Sequence, residues 1–211
     1  NCILSTNPKF GMEMSFLKKY WVFDMDGTLT CAKHDFPAIK TELGLPLDKD
    51  ILTGLSFLNP IEREKKNLIL EKIELEIAKI STPQIGAFEL LTHLKNLGVR
   101  LGILTRNSLI NTIVTLEVTN LLSFFPESEI LTRDHAEPKP HPEGLFKLQN
   151  HWQADPNEMI MVGDYLYDLL AGKSASTDTI YIDPTGEFKF KEHATHCIKN
   201  LFEAIDLDLI K

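Results

Sequence analysis

The sequence predicts an α/β chain: a parallel β-sheet with helices on both faces. Three observations predict it. Short apolar runs recur near residues 20–23, 99–104, 158–162 and 179–182, segments of helical periodicity separate them, and one stretch, roughly 32–82, interrupts the alternation with helices alone. Strands alternating with helices build βαβ units, which pack as a parallel sheet. With 211 residues and 43% hydrophobic content, the chain can form one good core plus a small insertion.

Taken in order, residues 20–23 read as a buried strand, and the helical interruption follows. Residues 36–43 form a short helix closed by Gly44, and 48–58 a second. Asn59-Pro60 opens a long third helix, with asparagine as N-cap and proline in the first turn. In it, Leu70, Ile73, Ile77 and Ile80 recur at three- and four-residue spacing as one apolar stripe. Regular alternation then resumes: a helix at 86–96 stopped by Gly98, a strand at 99–104, a helix at 108–116, a short strand at 130–131 and a helix at 142–151. A strand at 158–162, a helix at 165–173, a strand at 179–182 and a last helix at 200–205 complete the chain.

Composition narrows the partners. A formal charge of -8 argues against nucleic acid and anionic membrane surfaces, both of which attract basic proteins. No apolar run approaches the roughly 18 residues of a membrane span, and the first 20 residues lack a signal-like apolar core, so a cytoplasmic protein is expected. Cys2, Cys31 and Cys197 are widely spaced and read as reduced thiols. Residues 1–14 are assigned no function.

In a parallel sheet the site lies beyond the carboxyl ends of the strands. The first strand ends in Asp24-Met25-Asp26-Gly27-Thr28. Side chains of an extended chain alternate faces, so Asp24 and Asp26 project to one side and Met25 to the other. Two ionised carboxylates at one spot repel, and a divalent cation would relieve the repulsion; a plain acidic turn is the competing reading. After the second strand come Thr105, Arg106, Asn107 and Ser108, which read equally as an anion site at a helix N-terminus or as an ordinary helix cap. Lys139, between prolines in Glu137-Pro138-Lys139-Pro140-His141-Pro142, is either held rigidly for a purpose or simply solvated. Asp164 ends a further strand, and Asp168 lies one helical turn on; each also suits a helix start. If their strands are neighbours, Asp24, Asp26 and Asp164 converge into an all-oxygen site suited to Mg²⁺.

Taken together, Asp24-Met25-Asp26-Gly27-Thr28, Thr105, Lys139-Pro140 and Gly163-Asp164 with Asp168 resemble, in order, the four motifs of the haloacid-dehalogenase-superfamily hydrolases. The likeness is to the phosphatase kind, similar to phosphoglycolate phosphatases. It implies a Rossmann-like three-layer core at residues 15–31 and 83–211, with a small helical cap at 32–82 that selects the substrate. It also implies a Mg²⁺-dependent phosphatase of small-metabolite phosphomonoesters, phosphoglycolate being the leading candidate, working as a monomer or homodimer. Asp24 would be the nucleophile and form an aspartyl-phosphate, while Asp26 would protonate the leaving alkoxide and then deprotonate water. Asp24, Asp164 and the backbone carbonyl of Asp26 would hold the metal. Lys139 and Thr105 would stabilise the phosphoryl group, and Asp168 would orient Lys139 or support the metal shell. Asn107 and Arg106 are further candidates for substrate contact, Arg106 being an unusual neighbour of Thr105 that reads equally as an arginine pointing to solvent.

Family members that are dehalogenases lack the second aspartate, so Asp26 favours a phosphatase. The alternatives are a sugar-phosphate-mutase-type phosphotransferase, which Thr28 counts against, and a non-catalytic binding protein on the same fold. Tyr165 departs from the serine or threonine of many relatives. Lys33, His34, Lys40, Arg63, Lys65 and Lys66 either supply positive charge for an acidic substrate or form an ordinary solvated face.

Overall fold

The computed structural model describes residues 17–207 and 209. Residues 1–14, including Cys2, and the first two residues of the expected core lie outside them. Six strands, all parallel, form one sheet: β1 (Tyr20–Phe23), β2 (Arg100–Leu104), β3 (Ile130–Leu131), β4 (Met159–Gly163), β5 (Asp178–Ile182) and β6 (His196–Ile198), in the spatial order β3-β2-β1-β4-β5-β6. The chain runs outward from the centre twice, in opposite directions, so β1 lies between β2 and β4. Phe23 pairs with Ile103 on one side and Val162 on the other, which brings the ends of these three strands to one level.

The period of two decides what each face holds. Trp21, Phe23 and Met25 point into one core layer with Leu101, Ile103, Ile160 and Val162, beneath α4 (Ala87–Asn96) and α5 (Leu109–Val118). Val22 points the other way, onto Leu145, Leu148 and Ala171 of α6 (Glu143–Trp152) and α7 (Leu166–Ser174). The result is a Rossmann-like three-layer sandwich.

Between β1 and α4, three helices follow one another: α1 (Phe36–Glu42), α2 (Ile51–Ser56) and α3 (Pro60–Lys79). They form the helical cap and share a small core of their own, with Ile39, Leu43, Leu45, Leu55 and Leu70 buried and Ile73 and Ile77 partly so. Asn59 caps α3 through its side chain, accepting from the Glu62 N–H at 3.0 Å, and Pro60 occupies the first turn, as expected. No helix among the described residues is long and apolar enough to cross a membrane.

Three expectations are corrected, and one strand is new. Ile80 leaves the apolar stripe: it is the C-cap residue of α3, where the backbone departs from helical angles, and it is 63% exposed while Ala78 is buried. The second helix is shorter than residues 48–58, because Asp50 caps it from its own side chain. Residues 200–205 are not an α-helix; their hydrogen bonds run from residue i to i-3, a succession of turns that still buries Leu201 and Ala204. Finally, β6 went unrecognised, being three residues at the sheet edge with two polar side chains.

Candidate active site

The site is assembled at the carboxyl ends of β1, β2 and β4. The Asp24 N–H donates to Val162 O at 2.9 Å, extending the β1–β4 ladder by one residue, so the Asp24 side chain leaves the sheet beside the end of β4. Met25 turns into the apolar core, fully buried. The chain then folds back in a tight turn, in which the N–H groups of Leu29 and Thr30 donate to Met25 O and that of Gly27 to Thr30 O. Gly27 has φ +90°, and a Cβ there would lie 2.3 Å from Asp164 Oδ2; only glycine lets the turn approach the β4 acid so closely. Thr28 Oγ1 donates to Asp164 Oδ1 at 3.2 Å.

Lys139 supplies the positive charge. Its ammonium is almost fully buried and lies 2.5 Å from Asp24 Oδ1 and 2.6 Å from Asp168 Oδ1, joining the end of β1 to the first turn of α7. Asp168 is fixed in turn by the Tyr165 N–H, which donates to its Oδ2 at 3.0 Å. One carboxylate oxygen from each of Asp24, Asp164 and Asp168 lies within 4.8 Å of the others. The Asp26 side chain stands apart from this group: its Oδ2 accepts from Asn107 Nδ2 at 3.2 Å. A cleft of about 320 Å³ opens against Asp164, lined also by Gly27, Cys31 and Gln84.

Three buried carboxylates around one lysine carry surplus negative charge, and the acidities follow. Asp164 is held well above the usual carboxylate range by burial and by the charges of Asp24 and Asp168. Burial raises Asp24 despite its pairing with Lys139. Asp168 and Asp26 are pushed up to about 6, both chiefly by burial. Burial alone would lower Lys139, but the Asp168 and Asp24 carboxylates outweigh it and hold the ammonium above the ordinary lysine value. Such an all-oxygen group, repelling itself and cradled by a glycine that leaves room at Asp164, fits a hard divalent cation such as Mg²⁺.

In the segment after β2 the helix-cap reading is observed directly. Ser108 caps α5, and Thr105 Oγ1 accepts from the Asn107 N–H at 3.1 Å. Meanwhile the Asn107 amide reaches Asp26, and Thr105 is buried. Arg106 turns outward into the cap, pairing with Asp50 and lying over the Tyr167 ring at 4.8 Å. Of the six basic cap residues, Lys40, Arg63 and Lys66 bind backbone carbonyls within the cap, whereas His34 lies beside Asp26.

Sequence reasoning missed Glu71, Glu74 and Arg133. Arg133 contacts Glu74 through both terminal nitrogens, at 3.0 and 2.9 Å, and Glu71 at 2.8 Å, tying α3 to the loop after β3. Ser108 and Asn111 of the α5 segment complete the joint, each donating to one of these acids at 3.2 Å. Burial makes the Glu74 carboxyl hold its proton more tightly than usual, with Arg133 opposing it. One signal was available: Arg133 follows an apolar pair at a strand end, the position that identified the other site residues.

The fold and site together define the class: an α/β protein with a parallel Rossmann-like sheet, a helical cap and a carboxylate-rich site at the carboxyl ends of its strands. Comparison with known proteins narrows this. The family model for haloacid dehalogenase-like hydrolases matches residues 37–182. An uncharacterized hydrolase of Saccharomyces cerevisiae is 34% identical over 198 residues, 88% of each chain. The N-acetylmuramic acid 6-phosphate phosphatase of Pseudomonas aeruginosa is 28% identical over 180 residues, 75% of this chain and 78% of that one. Among solved structures, a subfamily IA hydrolase of the superfamily from Geobacter sulfurreducens superposes with a TM-score of 0.62 at 26% identity, covering 90% of this chain and 95% of that one. The chain belongs to the haloacid dehalogenase-like hydrolases, and it is an enzyme of their phosphatase kind.

Proposed function

We propose that this protein hydrolyses the phosphomonoester of a small metabolite through an aspartyl-phosphate on Asp24, with Mg²⁺ as cofactor. The observation that carries the reading is the meeting of Asp24, Lys139, Asp164 and Asp168 within hydrogen-bond or metal-ligand reach of one another.

A carboxylate is a poor attacker of a phosphate dianion because like charges repel. Asp24, Asp164 and the Asp26 carbonyl would hold Mg²⁺, which would neutralise that charge and act as a Lewis acid for the phosphoryl oxygens. Lys139 holds Asp24 oriented and adds a fixed positive charge where the transition state spreads negative charge. Thr105 and nearby N–H groups hold the phosphoryl oxygens, with Asn107 alongside. Asp26 protonates the ester oxygen as it leaves and then takes a proton from the attacking water. Its value of about 6 suits a group that must change protonation near neutral pH.

Residues 15–31 and 83–211 act as the catalytic core and 32–82 as the substrate-selecting cap. Arg106, paired with Asp50, is the contact offered to an acidic substrate such as phosphoglycolate. A panel of phosphate esters, assayed with and without Mg²⁺ beside Asp24→Asn, tests the reading. Metal-dependent phosphate release, abolished in the variant, is expected; folded wild type that releases phosphate from no ester overturns it.

A further inference from the structure

His34 has no part in the chemistry above, yet it is packed against the group that moves protons. Its side chain is 8% exposed, and Nδ1 lies 3.9 Å from Asp26 Oδ1. The ring stacks on Phe36 with centroids 5.5 Å apart and planes at 11°, which fixes the plane of the imidazole. The two oxygens of Asp26 therefore meet different surroundings: Oδ2 is held by Asn107 of the core, and Oδ1 faces a side chain of the segment leading into the cap. The Glu74 charge also acts on the ring, and Glu74 is itself held by Arg133 and Asn111. The imidazole has at least one N–H to place.

We propose that His34 is a positioning residue for Asp26, its Nδ1–H donating to Asp26 Oδ1 once that carboxyl group has given up its proton. The inference rests on the phosphatase reading. In the first step an Asp24 oxygen bonds to phosphorus, the bond from phosphorus to the ester oxygen breaks, and the Asp26 proton passes to that oxygen. The alcohol leaves, and Asp26 is left ionised with an N–H beside the oxygen that lost the proton. In the second step the water oxygen bonds to phosphorus as its proton passes to Asp26, the bond from phosphorus to Asp24 breaks and phosphate leaves; the N–H has kept Asp26 oriented meanwhile. A separation of 3.9 Å is longer than a hydrogen bond, but catalytic hydrogen bonds in ligand-free enzymes are often long and tighten around substrate.

The test compares His34→Asn, whose amide N–H replaces Nδ1–H, with His34→Leu, similar in size but without a donor. Single-turnover release of the alcohol is measured with Mg²⁺ for p-nitrophenyl phosphate, whose leaving group needs no proton, and for an alkyl phosphate. His34→Leu is expected to slow the alkyl ester about 10-fold or more and the nitrophenyl ester by less than about 3-fold, with His34→Asn near wild type on both. Equal effects of His34→Leu on the two esters, no effect on either, or failure of His34→Asn to retain the alkyl rate overturns the proposal. Asp26→Asn separates the two layers of argument. If it too slows both esters equally, the phosphatase assignment of Asp26 fails, and the inference fails with it.

Discussion

Gly27 shows how one residue without a side chain governs a site made of charged ones. Its φ of +90° is unfavourable for any L side chain, and the space a Cβ would need is already taken by the Asp164 carboxylate. Gly27→Ala must therefore push Asp164 away from Asp24 and Thr28. We expect metal-dependent turnover to fall on the order of 10²-fold, the scale of a misplacement near 1 Å, together with a weaker Mg²⁺ affinity in a titration. Unchanged Mg²⁺ affinity would contradict the role given to the turn. Gly163 obeys the same logic on the other side, since a Cβ there would meet Asp168 at 2.2 Å.

At the scale of elements, the decisive one is α3. It looks like an ordinary charged helix, yet it turns Leu70 toward the cap's small core and buries Glu74 against the main body. Arg133 grips two of its carboxylates: Glu71 is 34% exposed and partly screened by solvent, whereas the pair with Glu74 is buried, its side chains 13% and 10% exposed. Removing one member of such a pair leaves an unmatched buried charge, a cost of about 3–5 kcal/mol. Arg133→Ala should therefore loosen α3 from α5, read as faster amide exchange in residues 70–79. Adding Glu74→Ala to it should recover part of the loss, because the orphaned charge is then gone. Exchange in α3 identical to wild type would show that the apolar contacts alone hold the cap.

The whole molecule carries a pH dependence set by its site. Asp24, Asp26, Asp164 and Asp168 all hold protons more tightly when folded than when unfolded. Their protonated forms thus stabilise the fold below the unfolded value near 3.8, and that contribution is lost as the pH rises through the folded values, near 6 for Asp26 and Asp168. His34 and His196, held low by burial, oppose this only around pH 6 and below. The metal-free protein should lose on the order of 5 °C in Tm between pH 6 and 8, and Mg²⁺ should restore more at pH 8 than at pH 6, which differential scanning calorimetry would measure. A Tm that rises with pH in the absence of metal would refute the carboxylate surplus.

How much of this was legible in the sequence depends on what each residue needs. Asp24, Thr105 and Asp164 could be located because a buried strand and the residue after it are a local pattern, and the parallel order puts strand ends together. Lys139 could be named but not distinguished from a surface lysine until the fold carried it to Asp24. The sharing of Asp26 between Asn107 and His34, and the grip of Arg133 on α3, depend on how the cap docks, which no local periodicity encodes. Likewise β6 has pattern enough only when β5 is beside it.

The central claim is that phosphate passes through Asp24. The most direct measurement is peptide mapping of acid-quenched enzyme after mixing with a phosphate ester and Mg²⁺, using Asp26→Asn to slow the second step. The account predicts a phosphoryl group on the peptide that contains Asp24 in that variant, and none when Asp24→Asn is added. A phosphoryl group on another residue, or phosphate released at the wild-type rate by Asp24→Asn, would contradict it.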